Sequence, residues 1–247
     1  MYDPRNANSV CIVGQFALVD LCDKIENSLG ENIQLIQGNT DGILVKLTDE
    51  SYYDKYVEVC KEWESRTGYT LEHDIYTKVI QKDVNNYIIV DKNNNVKSKG
   101  AYVKKLSKID YDLEIVNRAI KNYFIYNIPV EETINNCNDL ISFQKICKIG
   151  STYEYITHGN KKLNEKVIRV FACNKDVPGV FKMKKKINKD GIEVESLEKI
   201  ANTPENCFID NGDIKGKECP DYLDKQYYIE MAKKRIQDFI GKKVIDK

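Results

Sequence analysis

Residues 33–47, IQLIQGNTDGILVKL, place one carboxylate, Asp41, between two short apolar runs. A carboxylate exposed at a turn is an oxygen ligand of the kind that Mg²⁺ prefers. An Asp-Gly pair between apolar runs is also the usual signal for a β-hairpin, because Gly accepts positive φ and Asp tolerates it. The segment by itself leaves two interpretations open: a turn without chemistry, and a turn that presents a metal ligand.

Two short runs concentrate positive charge on a chain whose net charge is zero. Residues 96–109 hold five lysines and no acid, and the segment KMKKKINK at residues 182–189 holds five more. Such patches can bind phosphate, although for either run alone a solvated lysine face is the simpler interpretation. The lysines are Lys97, Lys99, Lys104, Lys105 and Lys108 in the first run, and Lys182, Lys184, Lys185, Lys186 and Lys189 in the second.

Periodic apolar residues predict the elements that would position the hairpin and the first lysine run. One helix is expected over residues 7–29 and another over residues 51–66, on either side of the hairpin. Three strand candidates follow between residues 69 and 103. The order of helix, hairpin, helix and antiparallel strands is typical of an α+β fold.

The second half of the chain has a different pattern. Two amphipathic helices, DYDLEIVNRAIKNYFIYN and PVEETINNCNDLISFQKICK, and a closing helix, LDKQYYIEMAKKRIQDFI, are predicted. Between them we expect one strand pair that turns at Pro178-Gly179. We therefore predict an antiparallel sheet with packed helices over residues 1–107, followed by a mainly helical domain with a small β element over residues 108–247.

The composition excludes several classes of protein. The chain has 247 residues, is 42% hydrophobic and 31% charged, and has no apolar run near the ~20 residues that a membrane helix needs. No signal peptide is recognisable, so we expect a cytoplasmic protein that does not bind membranes. The eight cysteines include no Cys-x-x-Cys pair, which argues against a zinc site and favours reduced thiols.

Four segments, in this order, resemble the C-terminal part of a family B DNA polymerase of the kind carried by bacteriophages and prophages. YDPRNANSVCIVGQFALVDLCDKIE is similar to the palm helix that follows the fingers, and IQGNTDGILVKL to the hairpin of motif C, Tyr-x-Asp-Thr-Asp-Ser. The stretch YTLEHDIYTKVIQKDVNNYIIVDKNNNVKSKGAYVKK is similar to the strands that bear the Lys-Lys-x-Tyr and Lys-x-Lys-Gly motifs. LDKQYYIEMAKKRI is similar to the closing Asp-x-x-Tyr-Tyr helix of the thumb.

The resemblance implies roles for individual residues. Asp41 matches the second aspartate of motif C, a catalytic ligand of the magnesium ions. Asn39 takes the place of the first aspartate, where its amide can still lend a carbonyl oxygen, and Gly42 stands where the family has Ser. Asn85 replaces one lysine of Lys-Lys-x-Tyr. The implied DNA-binding residues are Tyr87, Lys97, Lys99, Gly100, Lys104 and Lys105.

The resemblance also implies an incomplete enzyme. Residues 1–107 would be the rest of a palm, with its antiparallel palm-like sheet, and residues 108–247 a thumb. Two Mg²⁺ ions would assist transfer of a nucleotide from dNTP to primer-template DNA during replication, but one carboxylate cannot organise both ions. Motifs A and B are therefore expected on a partner, the N-terminal polymerase polypeptide, without which the chain is inactive.

Two further questions stay open from the sequence. The chain fits a natural split polymerase subunit, a truncated prophage gene or an expressed fragment, and each would place it in the bacterial host cytoplasm. The alternative function is a non-catalytic DNA-binding or structural module in which Asp41 only forms a hairpin turn.

Overall fold

The computed structural model describes residues 4–39, 41–100, 102–103, 111–187, 189 and 191–241. Over these residues the chain combines helices with strands, and the strand pairs in its sheets are antiparallel. The predicted α+β class is therefore confirmed. The chain divides into two compact units, residues 1–74 and 75–247. None of the described helices is long and apolar enough to cross a membrane.

The described residues of the first unit form two α-helices and a β-ribbon. Helix α1 (Pro4–Leu29) precedes strands β1 (Ile33–Gly38) and β2 (Ile43–Leu47), which form a two-stranded sheet, and helix α2 (Tyr53–Thr67) follows. The predicted hairpin and both predicted helices are present. Helix α2 ends because Gly68 takes a left-handed conformation, with φ of +76°, that other residues adopt at a cost.

The core of the first unit holds only the C-terminal half of α1. Leu21 and Ile25 of α1 are 1% exposed and pack with Cys60 and Trp63 of α2. Asp20 of α1 links the two helices, because its carboxylate accepts a 2.9 Å hydrogen bond from the Trp63 indole nitrogen and forms an ion pair with Arg66 of α2. The N-terminal half of the predicted apolar stripe of α1 is exposed instead of packed.

The second unit begins with a three-stranded sheet. Its strands are β3 (Tyr76–Asp83), β4 (Asn86–Asp91) and β5 (Val96–Lys99), in that spatial order. The predicted turn between β4 and β5 is confirmed, because the Asp91 carboxylate accepts 2.8 Å hydrogen bonds from the backbone N–H groups of two asparagines in the turn.

In the remainder of the second unit the described residues form three α-helices and two further sheets. The helices are α3 (Glu114–Tyr126), α4 (Val130–Asn135) and α5 (Lys225–Ile240). The strands are β6 (Lys145–Lys148), β7 (Tyr155–His158), β8 (Lys161–Leu163), β9 (Val167–Ala172), β10 (Val180–Ile187), β11 (Glu193–Lys199) and β12 (Cys207–Ile209). They form one sheet in the order β11-β10-β7-β8 and another in the order β12-β9-β6.

The prediction of a mainly helical domain with a small β element over residues 108–247 is wrong. The second of its predicted helices shortens to α4, six residues long, and its last part becomes β6. The asparagines that follow α4 are poor helix formers, and the β6 backbone pairs with β9 instead. Tertiary strand pairing therefore overrides the helical spacing of the apolar residues.

The predicted strand pair around Pro178-Gly179 is also wrong. Both strands exist, as β9 and β10, but β9 pairs with β6 and β12, whereas β10 pairs with β7 and β11. The backbone after β9 is held by other segments, since the Cys173 N–H donates to the Asn206 carbonyl and the Asn174 N–H to the Tyr222 carbonyl. The Pro-Gly dipeptide therefore connects two sheets and does not turn within one.

The boundary between the compact units differs from the predicted boundary at residues 107/108. Ile88 of β4 and Val103 are both 0% exposed and belong to one core with Ile120 of α3 and Ile236 of α5. The sheet β3-β4-β5 is thus part of the same compact unit as the helices that follow it. The assignment of residues 1–107 to a palm and of residues 108–247 to a thumb stays a prediction.

Candidate carboxylate hairpin and nucleic-acid interface

Asp41 lies exposed at the tip of the β1–β2 ribbon. The turn is closed by a 2.7 Å hydrogen bond from the Asn39 N–H to the Gly42 carbonyl. The amide oxygen of Asn39 accepts a 2.9 Å hydrogen bond from Gln37 Nε2 within the same ribbon. No described residue donates a hydrogen bond to the Asp41 carboxylate, and the exposed side chain is accessible to an external ligand.

The described residues do not assemble a metal site around this carboxylate. Among the described residues, no group of three or more His, Cys, Asp or Glu side chains is placed to hold a metal ion. Mg²⁺ binds about six oxygens and in polymerase-type sites uses one or two carboxylates together with phosphates and water. Asp41 fits one such ligand position. Its metal role, and that of Asn39, stay predictions that require ligands from outside this chain.

Three predicted DNA-binding residues lie on one face of the sheet β3-β4-β5. The register places Tyr87 of β4 opposite Lys99 of β5, and Ile89 opposite Lys97. Opposed residues in an antiparallel pair project to the same side. Ile88, which alternates with them, is fully buried on the other side. The exposed face therefore combines one aromatic ring with two exposed lysines.

The electrostatics of this face leave both lysines available. In the described part of the chain neither Lys97 nor Lys99 forms an ion pair. The neighbouring acids are held by turns: Asn86 donates to both oxygens of Asp83 at 2.9 and 3.0 Å, and this bonding lowers the pKa of Asp83. Hydrogen bonds from Asn95 likewise lower the pKa of Asp91, with a smaller contribution from Lys97. Both carboxylates thus stay charged within their own turns.

Gly100, the fourth predicted DNA-binding residue, ends β5 for a steric reason. Its φ is +108°, and a Cβ added there would lie 3.0 Å from the Asn85 carbonyl oxygen and closer still to the Asn86 amide. Only glycine fits this close approach without displacement. The other two predicted DNA-binding residues, Lys104 and Lys105, lie outside the described residues.

Lysines of the second run pair with acids on or beside the neighbouring strands. Glu198 of β11 accepts from Lys184 at 2.8 Å and Lys186 at 3.1 Å, with Lys182 at 3.9 Å. The Tyr153 hydroxyl donates to the same carboxylate at 2.7 Å. These contacts, the one from Lys184 first, lower the pKa of Glu198 to about 2. This run is therefore a cross-strand charge ladder, and the glutamates in EVESLEK are the sequence signal that would have indicated it.

A basic and aromatic cluster that the sequence did not indicate lies elsewhere in the second unit. The Arg235 guanidinium carbon is 5.0 Å from the centroid of the Tyr102 ring. The Lys82 ammonium is 5.8 Å from the same centroid. The three residues come from α5, from the turn after β5 and from β3, so no local spacing could have connected them.

No family model matches the chain, and no curated protein is significantly similar to it. Its function must therefore be inferred from the residues and from their geometry.

Proposed function

We propose that this chain is the C-terminal part of a DNA-directed DNA polymerase and becomes active only with a polypeptide that carries the rest of the site. The observation that carries the proposal is the exposed face on which Tyr87, Lys97 and Lys99 lie together, where neither lysine forms an ion pair among the described residues. The order of residue patterns along the chain relates this face to the strands that approach DNA in family B polymerases.

The lysine face supplies affinity for the DNA backbone. An ammonium group that neutralises a phosphate releases condensed counterions, so affinity falls as salt rises. Such contacts position the duplex but do not read its sequence, which suits an enzyme that must copy any template. Tyr87 adds an aromatic surface on the same face, half-buried between the strands.

The hairpin carboxylate supplies one ligand of the catalytic ions. The strands β1 and β2 hold the turn, and the turn leaves the Asp41 carboxylate exposed. When bound, Mg²⁺ would stabilise the charge that develops as a nucleotide is transferred from dNTP to the primer. Because no group of three or more His, Cys, Asp or Glu side chains is placed to hold a metal ion among the described residues, the chain by itself should add no nucleotides.

Helix α1 provides a surface on which the complementing N-terminal polypeptide could dock. In its N-terminal half Val10 is 71% exposed, Val13 55%, Phe16 71% and Val19 56%. Apolar side chains this exposed within three turns of one helix are typical of a surface that another polypeptide covers. We assign this surface to the polypeptide that carries motifs A and B.

The DNA-binding part of the proposal is tested by the salt dependence of duplex affinity. Each phosphate neutralised contributes about 0.9 to the slope of log affinity against log salt. The double variant Lys97→Gln/Lys99→Gln should lower that slope by about 1.8, which corresponds to about 12-fold over a fourfold change in salt. The matched control Lys184→Gln/Lys186→Gln removes the same charge from lysines paired with Glu198 and should keep the wild-type slope. Equal slopes in all three proteins would refute the lysine face.

The catalytic part is tested by complementation. The chain is mixed with a polypeptide that carries motifs A and B, and extension of a labelled primer is measured with Mg²⁺ and dNTP. Extension should require both polypeptides, and Asp41→Asn should abolish it while the melting temperature stays at the wild-type value. Full extension by the Asp41→Asn protein would show that Asp41 is not a metal ligand.

One observation favours the second candidate, a DNA-binding module without catalysis. Among the described residues, Asp41 belongs to no group of three or more His, Cys, Asp or Glu side chains that could hold a metal ion. In that case duplex binding would depend on Lys97 and Lys99 as above, but no complementing polypeptide would restore extension.

A further inference from the structure

The cluster of Lys82, Tyr102 and Arg235 is fixed by the fold of the second unit. Tyr102 sits in a tight turn directly after β5, in which the Val103 N–H donates to the Gly100 carbonyl at 3.2 Å and the Ser98 hydroxyl donates to the Val103 carbonyl at 2.6 Å. Val103 is fully buried and anchors this turn in the core. The Tyr102 ring is thereby held between β3 and α5.

Arg235 brings a half-buried positive charge to the ring without a carboxylate partner. Its Nη1 lies 3.4 Å from the amide oxygen of the buried residue Asn117, and no ion pair with Asp or Glu is formed within the described ranges. The acid that influences it, Asp112, is held by Lys145 at 2.8 Å and by the Ile146 N–H at 2.6 Å. Burial lowers the pKa of Arg235, which reflects incomplete solvation of the guanidinium group.

Lys82 adds a second cation that is exposed and, among the residues that the structure describes, forms no ion pair, although its charge contributes to the lowered pKa of Asp83. It lies near the end of β3, and its ammonium approaches the ring to 5.8 Å. The carboxylate of the neighbouring Asp83 accepts hydrogen bonds from the Asn85 backbone N–H and the Asn86 side-chain amide. Two cations from different elements thus meet at one aromatic ring, which supports them by cation–π attraction.

These features favour a phosphate group over a nucleobase as the ligand. The cations approach the aromatic ring on which a base would otherwise stack. A guanidinium fork matches the oxygen geometry of phosphate, and an anion would compensate the incompletely solvated charge of Arg235.

We propose that Lys82, Tyr102 and Arg235 form a second phosphate-binding site, which takes a backbone phosphate of the nucleic acid that contacts Lys97 and Lys99. This inference rests on the proposed DNA-binding function of that face. It is carried by position in the sheet, because β3, which bears Lys82, and β5, which bears Lys99 and precedes Tyr102, end at the same end of the sheet. The cluster lies on the core side of the sheet and the lysines on the exposed side, so one nucleic-acid backbone that passes this end would contact both.

The test measures duplex affinity as a function of salt for Lys82→Gln and Arg235→Gln in the full chain. Each variant should lower the slope by about 0.9, or about 3.5-fold over a fourfold change in salt. Arg235→Lys retains the charge and should therefore keep most of the wild-type salt dependence of duplex affinity. Lys234→Gln removes an exposed lysine from the same helix and should leave the slope unchanged. Because Lys82 is exposed at a strand end, its variant stays informative even where Arg235→Gln does not fold.

Two results would overturn the inference. One is a wild-type slope in the folded Lys82→Gln protein. The other is that both variants weaken the binding of inorganic tripolyphosphate but leave the salt dependence of duplex affinity unchanged, which would mean that the cluster binds only free phosphate chains. The two proposals can fail separately. A lowered slope in Lys82→Gln beside a wild-type slope in Lys97→Gln/Lys99→Gln would support the cluster and count against the lysine face.

Discussion

Replacement of Gly100 by alanine should destabilise the second unit more than the matched control, Gly216→Ala. At Gly100 the φ of +108° lies outside the region that alanine adopts easily, and the new Cβ would meet the Asn86 side chain and the Asn85 carbonyl oxygen. Asn86 cannot simply move away, because it donates two hydrogen bonds to Asp83. At Gly216 the φ is +71°, and no atom lies within 4 Å of the position that a Cβ would take.

The magnitude follows from these differences. A non-glycine residue in the left-handed region costs about 1–2 kcal/mol, of which about 0.4–1 kcal/mol is regained from the less flexible unfolded chain. Gly216→Ala should therefore lower the free energy of unfolding by about 1 kcal/mol or less. At Gly100 the φ is less favourable for alanine than at Gly216, and the new Cβ would also displace Asn86, whose hydrogen bonds contribute about 1 kcal/mol each. We therefore expect Gly100→Ala to lower the free energy of unfolding by about 3 kcal/mol.

Thermal unfolding followed by circular dichroism measures both variants. For a unit of this size about 1 kcal/mol corresponds to about 2–4 °C in melting temperature, so Gly100→Ala should melt about 6–12 °C below the wild type. Equal melting temperatures for the two variants would refute the close approach at Gly100. A Gly100→Ala protein with wild-type stability and weak duplex binding would instead make Gly100 a direct DNA contact, the role that the resemblance to family B polymerases implies.

The remaining predictions concern three other positions. Tyr228→Phe should lower the free energy of unfolding by about 1–3 kcal/mol in a denaturant titration, because the Tyr228 hydroxyl accepts a 3.0 Å hydrogen bond from the buried N–H of Ala172. The control is Tyr222→Phe, which changes a half-buried ring and should have little effect. Glu198 has its pKa lowered from 4.5 to about 2, so its contribution is present above pH 4.5 and is lost as the pH falls towards 2. Glu198→Gln should accordingly lower the melting temperature at neutral pH, and the difference from wild type should shrink through that acid range; a constant difference would contradict the assigned ladder. Phe16→Asp should weaken complementation by the N-terminal polypeptide at unchanged melting temperature, since Phe16 is 71% exposed; unimpaired complementation would remove α1 from the interface.

The sequence predicts elements well where the local signal is strong. The Asp-Gly turn and the long apolar period locate the first hairpin and α1, and the Asn-rich turn locates the end of β4. It fails for β6, because a strand of four residues is specified by its pairing with β9 and not by its own periodicity.

The residues of the candidate site likewise divide into those that local sequence can predict and those that only the tertiary fold brings together. The placement of Tyr87 and Lys99 opposite one another depends on residue parity within a short hairpin, which the sequence contains. The neutralisation of Lys184 by Glu198 depends on the register of β10 and β11, and the approach of Arg235 to Tyr102 depends on how α5 packs. Contacts between distant segments are set by the tertiary fold, so residue spacing cannot indicate them.

The β1–β2 ribbon has a practical consequence for handling this protein. As a two-stranded sheet, it has no further strand paired to either side within the described residues. Each outer edge therefore presents unpaired backbone donors and acceptors that can recruit a strand from another molecule. A chain purified by itself should aggregate through these edges as its concentration rises, and co-expression with a strand-donating partner should increase the yield of monodisperse material.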